Sequence, residues 1–295
     1  MKETIKPVYV IIGTIVGAGF ASGKEIYTFF MIYGNTGIIG LIISSVIIGL
    51  VTYKVLKICA ESRVQSFKNF CEVIENDTNT EKTVISKLFN TIVNIFLLIM
   101  FYVMISGFSS FLKQEFKIPT IVGSLIIVTL CYITFIGNIE KLIKLSNYLI
   151  PVLIIFIIYI STKSLNQNSF SNYSQIKYVI NNDKALEIKG IIKSVLYASY
   201  NCIALIPVII QLYLSSKEKN VNKKSIAIIS TLIIIILSFS IYNLLLQGTL
   251  ETLKLDMPII AITKQIGNIY GYIYTIIIGI AIFTSAASSG IRFPK

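Results

Sequence analysis

The stretch Gly13-Thr14-Ile15-Val16-Gly17-Ala18-Gly19-Phe20-Ala21-Ser22-Gly23-Lys24-Glu25 holds the residues best placed to do chemistry. It lies inside an apolar run from Pro7 to Tyr33, long enough to cross a bilayer. Each glycine costs a helix interior about 1 kcal/mol relative to alanine, and four so close together favour a local break. A break in lipid is tolerated only where the freed backbone groups face protein, water or a ligand. In secondary transporters such carbonyls and half-helix ends bind substrate and coupling ion. A second reading is open. Gly13/Gly17 and Gly19/Gly23 are each GxxxG pairs, which let membrane helices pack closely with no break. Lys24 and Glu25 are ionisable residues inside the same run. Within a membrane such residues are candidates for gating or proton coupling, unless this half of the helix lies shallow and both reach the interface.

Other runs must position that stretch. The second covers about Ile38 to Ile58. Glu61 to Lys87 is polar and reads as a surface helix or helix–loop–helix, with Phe67, Phe70, Val73 and Ile74 on an interfacial face. The third spans Leu88 to Phe111, the fourth Thr120 to Ile136, and the fifth Leu145 to Ile160 with Pro151 inside. Asn166 to Asp183 is a polar loop. The sixth run, Ile188 to Leu214, is interrupted by Ala198-Ser199-Tyr200-Asn201-Cys202 and then by Pro207. The seventh spans Ile226 to Leu246, Gln247 to Lys264 is amphipathic, and the eighth runs from Tyr270 to Gly290.

Composition sets the class. Of the 295 residues 14% are charged, against about 25% in a soluble domain, and the mean hydropathy is +0.79. This predicts an all-α polytopic membrane protein with about eight transmembrane helices in one domain, 1–295. The absence of histidine and tryptophan removes histidine proton relays and most zinc chemistry. The net charge of +12 marks cytoplasmic loops in such a protein and implies no nucleic acid. Lys54, Lys57, Arg63 and Lys68, with the cluster from Lys217 to Lys224, place the amino terminus in the cytoplasm of a multi-pass cell-membrane protein, as in a bacterial inner membrane. Cys59, Cys71, Cys131 and Cys202 are scattered and read as small core residues. No P-loop, HExxH or suitable GxSxG is present, so the chain is not expected to be an enzyme or to carry a cofactor. Its partners are the lipid bilayer and a small molecule.

Two interrupted runs five helices apart match an inverted repeat with its site between two broken helices. Gly13-Thr14-Ile15-Val16-Gly17-Ala18-Gly19 resembles the first helix of the APC superfamily, which has the leucine-transporter (LeuT) fold. The extension Phe20-Ala21-Ser22-Gly23-Lys24-Glu25, with Leu196-Tyr197-Ala198-Ser199-Tyr200-Asn201, is most similar to the bacterial YkvI family of uncharacterised membrane proteins. The resemblance implies a LeuT-like inverted repeat with broken helices 1 and 6, a first repeat over about 7–163 and an incomplete second over about 186–295. The usual fold has ten core helices, so the last two are missing here. By the same resemblance Gly13, Val16 and Ala281 carbonyls with the Thr284 and Ser285 hydroxyls would bind Na⁺. The alternative is that both hydroxyls bond back to their own helix. Phe20 stands where related symporters place a polar side chain for a second ion.

A substrate pocket is expected between Gly17, Ala18, Gly19 and Ser22 on one side and Tyr197, Ser199, Tyr200 and Asn201 on the other. The alternative is packing with polar residues as glue. The function that follows is a Na⁺-coupled secondary transporter (symporter) of a small organic solute such as an amino acid. The competing function is a non-transporting or channel-like membrane protein that retains the fold.

Overall fold

The computed structural model describes residues 2–75, 80–136, 139–165, 184–215 and 222–291. Those residues form helices joined by short turns, with no strand among them. The polar loop 166–183 and residues 216–221 of the basic loop lie outside the described residues.

The first apolar run is not one helix. It divides into α1 (Lys2–Ile15), α2 (Ala18–Ser22) and α3 (Lys24–Phe29), followed by a 3₁₀ turn, Met31–Tyr33. Two joints separate the pieces. At Val16–Gly17 the Gly17 N–H turns to the Ile15 carbonyl, so the Gly13 carbonyl loses the donor a continuous helix would give it. At Gly23 the backbone is left-handed, φ +83°, a region that side chains rarely adopt. The break expected from the glycines is therefore real and has two parts.

The remaining order is α4 (Gly34–Glu61), α5 (Phe67–Glu75), α6 (Thr80–Phe116), α7 (Thr120–Ile136) and α8 (Ile139–Leu165). Then come α9 (Lys184–Ser215), α10 (Lys223–Leu246), α11 (Leu250–Lys254), α12 (Pro258–Ile266) and α13 (Asn268–Ile291). Local chemistry explains several boundaries. The Asn222 side chain caps α10 by accepting from Ser225 N–H, and Thr249 caps α11 by accepting from Thr252 N–H. Pro258 opens α12, where a missing N–H costs nothing.

α9 corrects the expectation of a broken sixth helix. It runs unbroken through Ala198–Cys202 and through Pro207. No glycine occurs after Gly190 in this helix, and the polar side chains bond their own ladder. Ser194 Oγ donates to Gly190 O, Ser199 Oγ to Val195 O, and Asn201 Nδ2 to Tyr197 O. Pro207 removes one ladder bond, which a surrounded membrane helix tolerates.

α1 sits centrally, packed against α8, α9 and α10, and α4 lies along both α9 and α10. α13 packs on α6, α8 and α12, and reaches the first segment chiefly at α2. On α5, Phe70 and Cys71 are buried in the protein, while Ile74 faces outward. The amphipathic face thus docks on the bundle as much as on the interface. The four cysteines are buried, as expected of small core residues.

Among the described residues, six helical stretches are long and apolar enough to cross a membrane: Lys24–Glu61, Asn90–Phe116, Tyr148–Leu165, Ile188–Leu214, Lys223–Leu246 and Asn268–Ala287. Two of the eight expected spans, Ile5–Ile15 and Thr120–Thr134, are shorter apolar helices. The first falls short because the joint at Val16–Gly17 ends α1 early.

Candidate functional site

The residues that come together around the breaks belong to α2, α3 and α9. α3 begins at the left-handed Gly23, and Lys24 and Glu25, about 100° apart on its first turn, meet different neighbours. Lys24 Nζ donates to the Lys254 and Leu255 carbonyls, 3.2 and 3.0 Å away, and so ties α3 to the end of α11. Glu25 folds back over the preceding piece. A Cβ built on Gly19 would stand 2.3 Å from Glu25 Oε1, so a side chain there would displace the carboxyl from this position. Glu25 is half-buried, but its Oε2 is shielded from solvent and has no hydrogen-bond partner.

Across from Glu25 stands α9. Tyr200 adjoins the carboxyl, and Asn201 adjoins the hydroxyls of both Tyr197 and Tyr200. Neither Tyr197 Oη nor Tyr200 Oη finds a partner in hydrogen-bonding geometry. The rings pack against α3 and the chain just after it. Phe30 meets Tyr197 edge-on at 4.9 Å, Phe29 lies 5.5 Å from Tyr197 and 5.7 Å from Tyr200, and the two tyrosines are 5.3 Å apart. These aromatic pairs fix where the two hydroxyls point.

Several expected pocket residues are engaged elsewhere. Ser22 is buried, with Oγ donating to Gly19 O and accepting from Lys24 N–H. It serves the turn at Gly23. Ser199 is exposed and bonded to its own helix, on the opposite side of α9 from the buried Tyr197. Gly17 faces Met104 of α6, and Ala18 fits against Gly107 of the same helix. Of the substrate residues expected from sequence, Gly19, Tyr197 and Tyr200 lie about Glu25, and Asn201 adjoins the two tyrosine hydroxyls.

The residues expected to bind an ion lie on two different helices. Gly13 packs against Ile150 of α8, and Val16 is buried at the first joint. On α13, Ala281 and Thr284 are buried and Ser285 is half-buried. Thr284 Oγ1 donates to the Ala281 carbonyl at 3.0 Å, the back-bonded arrangement that residues of this type commonly adopt.

Sequence reasoning missed the residues that hold the broken segment from outside. Tyr274 of α13 is fully buried and its hydroxyl donates to the Ala21 carbonyl. Met257 forms two hydrogen bonds with the Gln114 side chain. Glu115 Oε2 accepts from Lys264 Nζ at 2.5 Å and from Thr275 Oγ1 at 3.3 Å. These contacts fasten α6, α11, α12 and α13 at the end of the bundle where Lys24 lies. Phe29 and Phe30 follow Glu25 closely in the chain, the one signal that could have drawn them into the site.

Large apolar side chains are exposed on every long helix, among them Ile39, Ile95, Ile121, Tyr148, Ile155, Ile188, Leu232 and Ile276. Facing water, such a belt would be an aggregation surface; facing lipid, it is the normal exterior. The fold and the belt define a polytopic α-helical membrane protein. Over 282 residues, 94% of this chain and 76% of the relative, the sequence is 26% identical to "Uncharacterized membrane protein YkvI" of Bacillus subtilis (strain 168). It is 24% identical over 293 residues, 97% of this chain and 79% of the relative, to "Uncharacterized protein YyaD" of the same organism. No family model matches the chain. The resemblance to YkvI therefore extends along nearly the whole chain, and it brings a membrane protein but no substrate with it.

Proposed function

We propose that this chain is a cation-coupled secondary transporter of a small organic solute, with its solute site at the broken first segment. The observation that carries this reading is the joint itself. A membrane-embedded chain broken at Val16–Gly17 and Gly23 frees the Gly13 carbonyl at the first joint and, after the second, sets the half-buried Glu25 carboxyl beside Gly19 and the phenols of α9. Broken backbone at membrane depth is tolerated where it lines a ligand site or is covered by protein. The coupling ion is Na⁺, bound by the carbonyls of Gly13, Val16 and Ala281 and the hydroxyls of Thr284 and Ser285. Neutral oxygens suit a hard cation, and the carbonyl end of α1 adds partial negative charge. The bond from Thr284 Oγ1 to the Ala281 carbonyl uses the hydroxyl proton and one carbonyl lone pair, which leaves lone pairs on both oxygens for the ion. The reading extends to a LeuT-like inverted repeat for the fold.

The amino terminus faces the cytoplasm of a bacterial cell. Tyr53 at the end of α4 and Lys224 at the start of α10 line one groove. The basic residues around Lys54, Lys57 and Lys223 therefore share one end of the bundle, as a cytoplasmic face requires.

The test is thermal stability of the detergent-purified protein at constant ionic strength in NaCl against KCl. A ligand at 100 times its dissociation constant stabilises by about 2.7 kcal/mol. A sodium-specific rise that vanishes in the Thr284→Ala/Ser285→Ala double variant supports the ion site. Equal stability in both salts, in a well-folded sample, removes it. Sodium-gradient-driven uptake into proteoliposomes then separates a transporter from a non-transporting protein of the same fold.

A further inference from the structure

Glu25 Oε2, Tyr197 Oη and Tyr200 Oη are shielded from solvent near the start of α3; Tyr200 adjoins the carboxyl and Asn201 both hydroxyls, yet none of the three atoms completes a hydrogen bond in good geometry. Buried polar groups are almost always paired, and each exception calls for an explanation. Their surroundings are aromatic. The rings of Phe29, Phe30, Tyr197 and Tyr200 pack around one another with centroids 4.9 to 5.7 Å apart. The neighbouring cation does not serve the carboxyl, because Lys24 Nζ is spent on two carbonyls of α11 and its end.

One acid, two hydroxyls and aromatic rings select one ligand chemistry. A positively charged nitrogen gains charge pairing from Glu25, hydrogen-bond acceptors from the phenol oxygens and cation–π attraction from ring faces. A bare metal ion fits less well, since a hard cation wants a full shell of oxygens and ring walls supply none. A solute carboxylate would face the Glu25 charge directly.

We infer that the junction between α3 and α9 recognises an ammonium group, with Glu25 as the charge partner and Tyr197, Tyr200 and Phe29 as the rings that flank it. This rests on the transporter reading above and narrows it: the solute carries a cationic amine or quaternary nitrogen. The sodium residues on α1 and α13 are a separate set.

The full chain, purified in detergent at fixed ionic strength, is titrated with methylammonium, with choline, and with the uncharged choline analogue in which carbon replaces nitrogen. Propionate is the anionic control, and binding is read by calorimetry and by thermal shift. The ammonium compounds are expected to bind saturably and the carbon analogue at least about tenfold more weakly. Glu25→Gln, nearly the same shape, is expected to lose about tenfold or more in choline affinity, and Tyr200→Phe about threefold. Equal binding of choline and its carbon analogue overturns the inference. So does unchanged choline affinity in folded Glu25→Gln, binding of propionate alone, or binding of none of the probes. Should Glu25→Gln fail to fold, the charged and uncharged pair on the unmodified protein decides. The NaCl–KCl shift is recorded in the same samples. A sodium shift with no ammonium binding removes this inference and leaves the transporter reading. Ammonium binding that depends on Glu25, without a sodium shift, keeps this inference and removes the sodium site.

Discussion

The first segment and α9 both carry small and polar residues near mid-length, and only the first one breaks. In the first segment the interruption is made of glycines. Gly17 redirects its N–H to Ile15, and Gly23 takes a left-handed conformation. In α9 the interruption is made of side chains that can repair it. Ser194, Ser199 and Asn201 each donate to the carbonyl four residues back. Backbone freedom opens a membrane helix, whereas local polarity alone decorates one. The two also differ in what supports them. The broken segment is held by other elements, through Tyr274 to the Ala21 carbonyl and Lys24 to the end of α11. The cut in α9 never forms, so that helix needs no such support.

Substitutions can break or sharpen this contrast. The largest effect is expected for Gly23→Ala. A Cβ there would lie 2.6 Å from Ile259 Cγ1 on a backbone of φ +83°. Strain and overpacking together should cost about 3 kcal/mol, read as a lower midpoint of thermal or denaturant unfolding in detergent. An unchanged midpoint would mean that the joint is not where the segment turns. Next comes Tyr274→Phe, which leaves the Ala21 carbonyl without its donor and should cost about 1.5 kcal/mol in the same assay. A smaller loss, about 1 kcal/mol, is expected for Ala198→Gly, because a continuous helix pays glycine's propensity penalty. A stabilising effect there would revive a break in α9. Smallest is Ser199→Ala, within about 0.5 kcal/mol of zero and without effect on solute binding, since that hydroxyl is exposed and bonds its own helix.

Much of this was legible in the chain. Apolar runs located the long helices, and α7 keeps the bounds read from sequence, Thr120 to Ile136. The glycine stretch announced the first break because glycine acts on the backbone directly. The sixth run misled because composition shows a polar side chain but not the carbonyl that it bonds. In the candidate site Tyr197, Tyr200 and Asn201 were legible as a polar patch on one apolar run. Ser199 was not separable from them, since which side of a helix is buried depends on its neighbours. The different neighbours of Lys24 and Glu25 depend on what packs around α3 and could not be read from two adjacent charges. Glu115 and Lys264, 149 positions apart, carry no sequence signal of their pairing.

The notches on α4 have a mechanical consequence. A Cβ on Gly40 would stand 1.8 Å from Ser194 Oγ of α9, and one on Gly49 would stand 1.9 Å from Thr231 Oγ1 of α10. Each neighbour thus seats a hydroxyl-bearing side chain against the α4 main chain itself. Sliding either helix by a residue would drive that side chain into the next, bulkier position along α4. The three helices therefore resist shear and keep one register, so rearrangement of the bundle is left to the glycine joints of the first segment.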